Sequence, residues 1–330
     1  MGDRMCKYVG YIFIIITIII CGCNKPRNLK SDGTIVFKLS ENQPPSNPVT
    51  KAMYKFSDIV KEKSNGKMII DVYPSGQLGN ETESIEQVQL DLIDFVRVNS
   101  VTLAQVGSEV GVFTLPYIFK DNKHKYKVLD GEVGSNVSKD LEMYNMLNLG
   151  YLEAGTRNFY TTKPVKTIKD LKGMKIRVQP SAIPVAMVKM IGAVPTPMNY
   201  GEVYSSLQTG VIDGAENDFV SYNTSSHYEV AKNYILDGHL SPPALLLMSK
   251  KTFDKLSPEN QKIITEAAAE ATVWERDQMF KFEKESEEIV RKAGSNIIHV
   301  DKKPFQDAVA GIYEKFPEYG DRIKKIRAAE

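Results

Sequence analysis

The sequence predicts an α/β protein of two domains braced by one long helix, and three observations carry that prediction. The chain of 330 residues is 42% hydrophobic and 25% charged, the make-up of a globular protein with enough residues for two cores. Short β-type runs alternate with runs of helical period, the pattern of sheets covered by helices. Near the end, Ser257 can cap a stretch from Pro258 to Ala293 that contains no further Pro or Gly. At 1.5 Å per residue that helix would reach ~54 Å, longer than one small domain is wide.

In chain order, Arg4 and Lys7 precede an uncharged, isoleucine-rich run, Tyr8 to Ile20, of about 13 residues. This is a signal-peptide pattern, short of the ~20 residues that a membrane-spanning helix needs. The run ends in Ile20-Cys21-Gly22-Cys23, similar to the bacterial lipobox. Residues 1–22 are therefore expected to be a lipoprotein signal peptide, with Cys23 lipidated and 23–33 forming a polar tether; an ordinary secretory peptide is the plainer alternative. Cys6, Cys21 and Cys23 are the only cysteines, so the folded part is expected to hold no disulfide and no cysteine metal site.

Thr34 to Leu39 alternates like a first strand, and Val49 to Lys63 places Met53, Phe56, Ile59 and Val60 at helical spacing. Lys67 to Tyr73 reads as a second strand ended by Pro74-Ser75-Gly76, and Glu81 to Leu92 as a helix leading into a strand at Phe95 to Asn99. The pattern repeats in the centre, with strands at Leu149 to Ala154 and Lys175 to Val178. This looks like a second α/β domain.

With 42 basic and 41 acidic residues the net charge is +1, which excludes nucleic acid as a partner held by charge alone. No Gly-x-Ser-x-Gly, His-Glu-x-x-His, phosphate loop or Gly-x-Gly-x-x-Gly occurs, and the four histidines lie far apart. No catalytic residue, metal or cofactor is expected. His124 and His299 read as surface residues, and His227 as a helix start or inter-domain contact. Arg177 stands out because it lies on a strand otherwise built of apolar and amphipathic residues. Its planar fork of donors suits bidentate capture of a carboxylate in a cleft; from spacing alone, a surface arginine on an edge strand fits equally well.

Asp170-Leu171-Lys172-Gly173-Met174-Lys175-Ile176-Arg177-Val178-Gln179-Pro180-Ser181, Gly192-Ala193-Val194-Pro195-Thr196-Pro197-Met198 and Leu207-Gln208-Thr209-Gly210-Val211-Ile212-Asp213-Gly214 follow one another with Glu216-Asn217 close behind. Tyr73-Pro74-Ser75-Gly76-Gln77-Leu78-Gly79 and Leu115-Pro116-Tyr117 precede them. In this order the segments resemble the substrate-binding subunits of tripartite ATP-independent periplasmic (TRAP) transporters, over nearly the whole mature chain. The resemblance implies a periplasmic-binding-protein-like clamshell of two α/β domains, with hinge strands and one long bridging helix. Residues 34–154 plus 243–282 are expected to form the first domain, and 155–242 plus 283–330 the second. Together with the leader and lipobox-like motif, the expectation is an exported, non-enzymatic monomer, lipid-anchored on the outer face of the cytoplasmic membrane. Such a protein hands a small organic acid anion to a sodium-coupled permease.

Carried over by position, the resemblance makes Arg177 the principal carboxylate anchor, Arg157 a second basic contact, Asn217 a polar clamp and Tyr200 an aromatic wall. Arg97 and Asn99 are two apart on a predicted strand and so share a face; Arg97 is open to a second anionic contact, to sugar hydroxyls, or to plain solvent exposure. Ser40, Glu41 and Asn42 end the first strand near the same cleft, and His239 is a further candidate for a hydroxyl. The wording around Arg157-Asn158-Phe159-Tyr160 and Ser226-His227-Tyr228-Glu229 resembles the branch that binds hexuronates such as glucuronate and galacturonate. A C4-dicarboxylate binder of the same family and a ligand sensor for a membrane receptor are the alternatives.

Overall fold

The computed structural model describes residues 29–106 and 109–329, so the expected signal peptide and Cys23 lie outside the described residues. The strands are β1 Ile35–Ser40, β2 Met68–Tyr73, β3 Phe95–Asn99, β4 Met146–Leu152, β5 Arg157–Thr161, β6 Lys175–Val178, β7 Val194–Pro197, β8 Gly214–Asn217, β9 Asn233–Leu240, β10 Ala244–Ser249 and β11 Asn296–Ile298. They build two sheets, ordered β2-β1-β3-β10-β4 and β11-β9-β5-β8-β6-β7. The chain crosses between the sheets three times, from β4 to β5, from β9 to β10 and, through the long helix, from β10 to β11.

Each sheet forms where apolar residues demand it. In β1, Ile35, Phe37 and Leu39 are buried while Lys38 is exposed, the alternation of a half-covered strand. β10, Ala-Leu-Leu-Leu-Met-Ser, is buried throughout, as a central strand with both faces covered must be. The helix Pro48–Lys63 begins with Asn47 accepting from the Val49 N–H and buries Met53, Phe56, Ile59 and Val60 against the first sheet. There Phe95 meets Phe37 and Phe56 edge to face at 5.5 and 5.4 Å.

The long helix runs Pro258–Lys292, one residue short of the expected end, with Ser257 accepting from the Asn260 N–H and Gly294 turning the chain at φ +91°. Its Ile264, Ala267, Ala268 and Ala271 belong to the core of the first sheet, and Val290 packs with Tyr160, Tyr222 and Tyr234 of the second. It braces both sheets, as its length predicts. Gly150 permits the close approach of β4, because a Cβ there would stand 2.4 Å from Thr272 Oγ1. At the first crossing, Gly155 has φ +70° and a Cβ there would meet that of Asp218 at 2.4 Å.

The structure corrects several expectations. The helix from Glu81 ends at Gln89 rather than Leu92, because the backbone turns left-handed at Asp91, φ 60°. The strand expected from Leu149 starts at Met146. His124 is buried, not a surface residue; its Nε2 lies 2.8 Å from the Ile326 carbonyl oxygen. That contact is one of several made by the C-terminal residues, which the expected division places with the second domain. In the C-terminal helix Gly320–Ala328, Arg322 pairs with Glu109 and Asp140, and Lys325 with Glu132.

Candidate functional site

Between the sheets lies a cavity of about 440 Å³, counting the space open to solvent, and its wall comes from the ends of strands in both. In open α/β sheets the carboxyl ends of parallel strands carry ligand sites, because the chain must turn there and leaves polar groups facing a crevice. Asn42 and Gln43 follow β1, Arg97 and Asn99 are on β3, Arg177 is on β6 with Gln179 just after it, and Asn217 ends β8. Arg157 opens β5, which is antiparallel to β8 and so brings its start beside Asn217. Tyr200 follows β7. Of the expected site residues, the cavity thus gathers Arg177, Arg157, Asn217, Tyr200, Arg97, Asn99 and Asn42.

The three arginines are buried but differ in charge compensation. Arg97 donates from Nε to Glu41 at 2.7 Å and from Nη2 to both Glu41 and Asn42, while its Nη1 stands 3.6 Å from Glu81. Arg157 clasps Glu216 in a bidentate pair, Nη2 to Oε1 at 2.8 Å, and donates from Nη1 to Asn217 Oδ1 at 2.6 Å. Burial alone would raise the Glu216 pKa, but Arg157 and His239 hold it down at about 2. Arg177 has no such partner among the described residues. Its Nε and Nη2 donate to the Met198 carbonyl at 3.0 and 2.8 Å, and its guanidinium stands 5.8 Å from the centre of the Tyr200 ring. Burial pulls its pKa below the ordinary arginine value although the Glu216 carboxylate acts the other way, because no carboxylate pairs with it directly.

Two expected site residues stand behind the wall rather than in it. Glu41 turns both carboxylate oxygens to Arg97 and takes the Gln43 N–H on one of them. His239 is spent on other groups: Nδ1 lies 2.7 Å from Asp237, Nε2 3.5 Å from Glu216, and the ring stacks on Phe159 at 4.2 Å. Against the effect of burial, Asp237 and Glu216 push its pKa up to about 9, and the ring stands with the Arg157–Glu216 network rather than in the cavity wall. Ser40 bonds Ser84. His227 opens the short helix His227–Val230, with Nδ1 2.7 Å from the Tyr160 hydroxyl.

Sequence reasoning missed Gln43, Asn47, Glu81, Gln179, Asp218 and Ser221, which also line the cavity. Gln179 was legible, standing two residues beyond Arg177 and hence on its face. Three side-chain hydrogen bonds cross the cleft: Gln179 to Thr102 at 3.1 Å, Asn47 to Thr224 at 3.4 Å and Gln43 to Ser221 at 3.5 Å. The lobes are closed on each other. With Asn99 Oδ1 engaged in capping Val101 and Tyr200 bonded through its hydroxyl to Ser225, the wall is ordered by protein contacts. Its chemistry is one uncompensated cation amid amides, hydroxyls and carboxylate acceptors.

Residues 39–318 match the family model of the bacterial extracellular solute-binding proteins, family 7. The chain is 37% identical over 294 and 293 residues, respectively, to an uncharacterised protein of Salmonella typhimurium and to a solute-binding protein of Chromohalobacter salexigens, covering 86% and 87% of this chain and 88% and 87% of theirs. Among solved structures, a TRAP periplasmic solute-binding protein from Xanthobacter autotrophicus, with bound β-D-galacturonate, superposes with a TM-score of 0.87 at 42% identity, over 89% of this chain and 100% of that one.

Proposed function

Because the chain belongs to the bacterial extracellular solute-binding proteins of family 7, the substrate-binding subunits of TRAP transporters, we propose that its ligand is a hexuronate such as glucuronate or galacturonate. The protein is an exported binding protein and not an enzyme; it takes up a small acid and works with membrane permease subunits. The observation that carries the hexuronate reading is the inequality of the three arginines. Arg97 and Arg157 are each matched by a carboxylate, and Arg177 is not. One uncompensated guanidinium suits one carboxylate. Asn99, Asn217, Gln179 and Ser221, with Glu81 and Asp218 as acceptors, suit the several hydroxyls of a sugar ring. A C4-dicarboxylate would need a second cation, and recruiting Arg97 would cost it Glu41. The galacturonate complex of the relative at 42% identity supports the same reading.

Calorimetry against D-glucuronate, D-galacturonate and succinate tests it. The uronates are expected to bind at least tenfold more tightly than succinate, about 1.4 kcal/mol or more. Succinate binding the tighter of the two classes would make this a dicarboxylate site.

The domain division and the anchor belong to the same reading. Residues 34–154 with 243–282 form the lobe that supplies Arg97, and 155–242 supplies Arg157 and Arg177. The motif Ile20-Cys21-Gly22-Cys23 supports acyl chains on Cys23, each buried methylene of which contributes ~0.8 kcal/mol to membrane attachment. Cys23→Ala is expected to move the protein from the membrane fraction to the soluble exported fraction. Equal membrane retention of mutant and wild type would rule the anchor out.

A further inference from the structure

A second chamber of about 710 Å³, counting the space open to solvent, adjoins the inner cavity and shares Asn42, Glu81, Arg177 and Tyr200 with it. From the geometry we infer that the site accepts a hexuronate extended by a neutral sugar: the uronate ring occupies the inner cavity and the second ring this chamber. The inference rests on the hexuronate reading and adds to it the size of the ligand.

The lining decides the class of the extension. Beyond the shared residues, the first lobe contributes Ser75, Asn80, Thr82 and Thr102, and the second contributes Asn199 and Glu202. These are hydroxyls, amides and a carboxylate acceptor, groups that pair with sugar hydroxyls. Pro180 and the Tyr200 ring give the chamber two apolar faces, which suit the C–H face of a pyranose better than a charged group. Arg177 is the only cation in the lining, and it stands where the two spaces join. A second uronate would therefore place its carboxylate near Glu81 and Glu202 with no counter-charge of its own, and like charges brought together in a cleft disfavour binding.

The experiment compares D-galacturonate with two disaccharides by calorimetry on the full chain. One is galacturonosyl-rhamnose, whose uronate is joined through its anomeric carbon to a neutral sugar; the other is digalacturonate. Galacturonosyl-rhamnose is expected to bind within tenfold of galacturonate, and digalacturonate at least tenfold more weakly than galacturonosyl-rhamnose. Gly201 lines only the chamber, and a Cβ there would meet nothing within 4 Å, so Gly201→Trp should fill the space without displacing the fold. It is expected to leave galacturonate binding within threefold and to weaken galacturonosyl-rhamnose at least tenfold. Glu202→Ala, on the exposed rim, should weaken the disaccharide selectively by about threefold. If galacturonate binds and galacturonosyl-rhamnose does not, or if Gly201→Trp affects both equally, the extension is wrong while the hexuronate reading stands. If neither binds, both are overturned.

Discussion

Arg177→Ala is expected to weaken uronate binding by roughly 30-fold to several thousand-fold, the equivalent of the about 2 to 5 kcal/mol lost when one member of a buried, hydrogen-bonded charge pair is removed. The guanidinium is buried, and its hydrogen bonds go to the Met198 carbonyl rather than to a carboxylate. A ligand carboxylate would be its only strong counter-charge. Arg177→Lys should not restore binding, because an ammonium on a flexible stem cannot hold the Met198 carbonyl and a carboxylate in the same plane. The same observation predicts an opposite effect on the unliganded protein. Burying a charge that has no ion-pair partner costs free energy, so Arg177→Met should melt at or above the wild-type temperature without ligand and show almost no shift with it. Wild type at 100 times its dissociation constant should gain ~2.7 kcal/mol. An Arg177→Ala protein that binds galacturonate within about threefold of wild type would remove the anchor from the proposed mechanism.

Why Arg177, and not Arg97 or Arg157, carries the free charge was not legible in the sequence. Strand period shows that Arg97 shares a face with Asn99 and Arg177 with Gln179, and the structure puts all four in one wall. Compensation, however, is a matter of tertiary contact. Glu41 and Arg97 lie 56 residues apart, and Arg157 and Glu216 lie 59 apart; no local spacing announces either pair. His239 was misplaced for the same reason, since its role depends on Glu216 across the sheet as much as on Asp237 nearby. His124 depends on a carbonyl 202 residues away. What period, capping and breakers control was readable: β3 and β6 appear at the expected residues and the long helix ends one residue from its expected limit. The contacts of the C-terminal helix with Glu109, Asp140 and Glu132 are not legible either, because an amphipathic face states that it needs a partner and not which one.

Glu216→Ala is expected to cost about 3 to 5 kcal/mol of folding stability, because it strands a buried arginine. Arg157 takes both carboxylate oxygens of Glu216 and also donates to Asn217, so the pair fixes two wall residues at once. Its acid dependence has a defined sign. The Glu216 pKa lies near 2 in the fold against an ordinary value of 4.5, so the native state binds fewer protons than the unfolded chain between those limits. The stability contributed by the pair is complete above about pH 4.5 and is lost as pH falls towards 2. Glu216→Ala should flatten that limb of the melting curve. Replacing both partners, Arg157→Met with Glu216→Met, separates folding from recognition: the double variant removes the stranded charge and should recover most of the stability. It should not recover the ligand, because Asn217 then loses the guanidinium that holds its Oδ1 and the cleft loses a polar wall. Thermal melts of the two single variants and the double variant, with calorimetry on each folded protein, measure both terms of the cycle. Full uronate affinity in the double variant would mean that the pair serves only to hold the lobe together, leaving Arg177 and the neutral amides as the whole of the recognition surface.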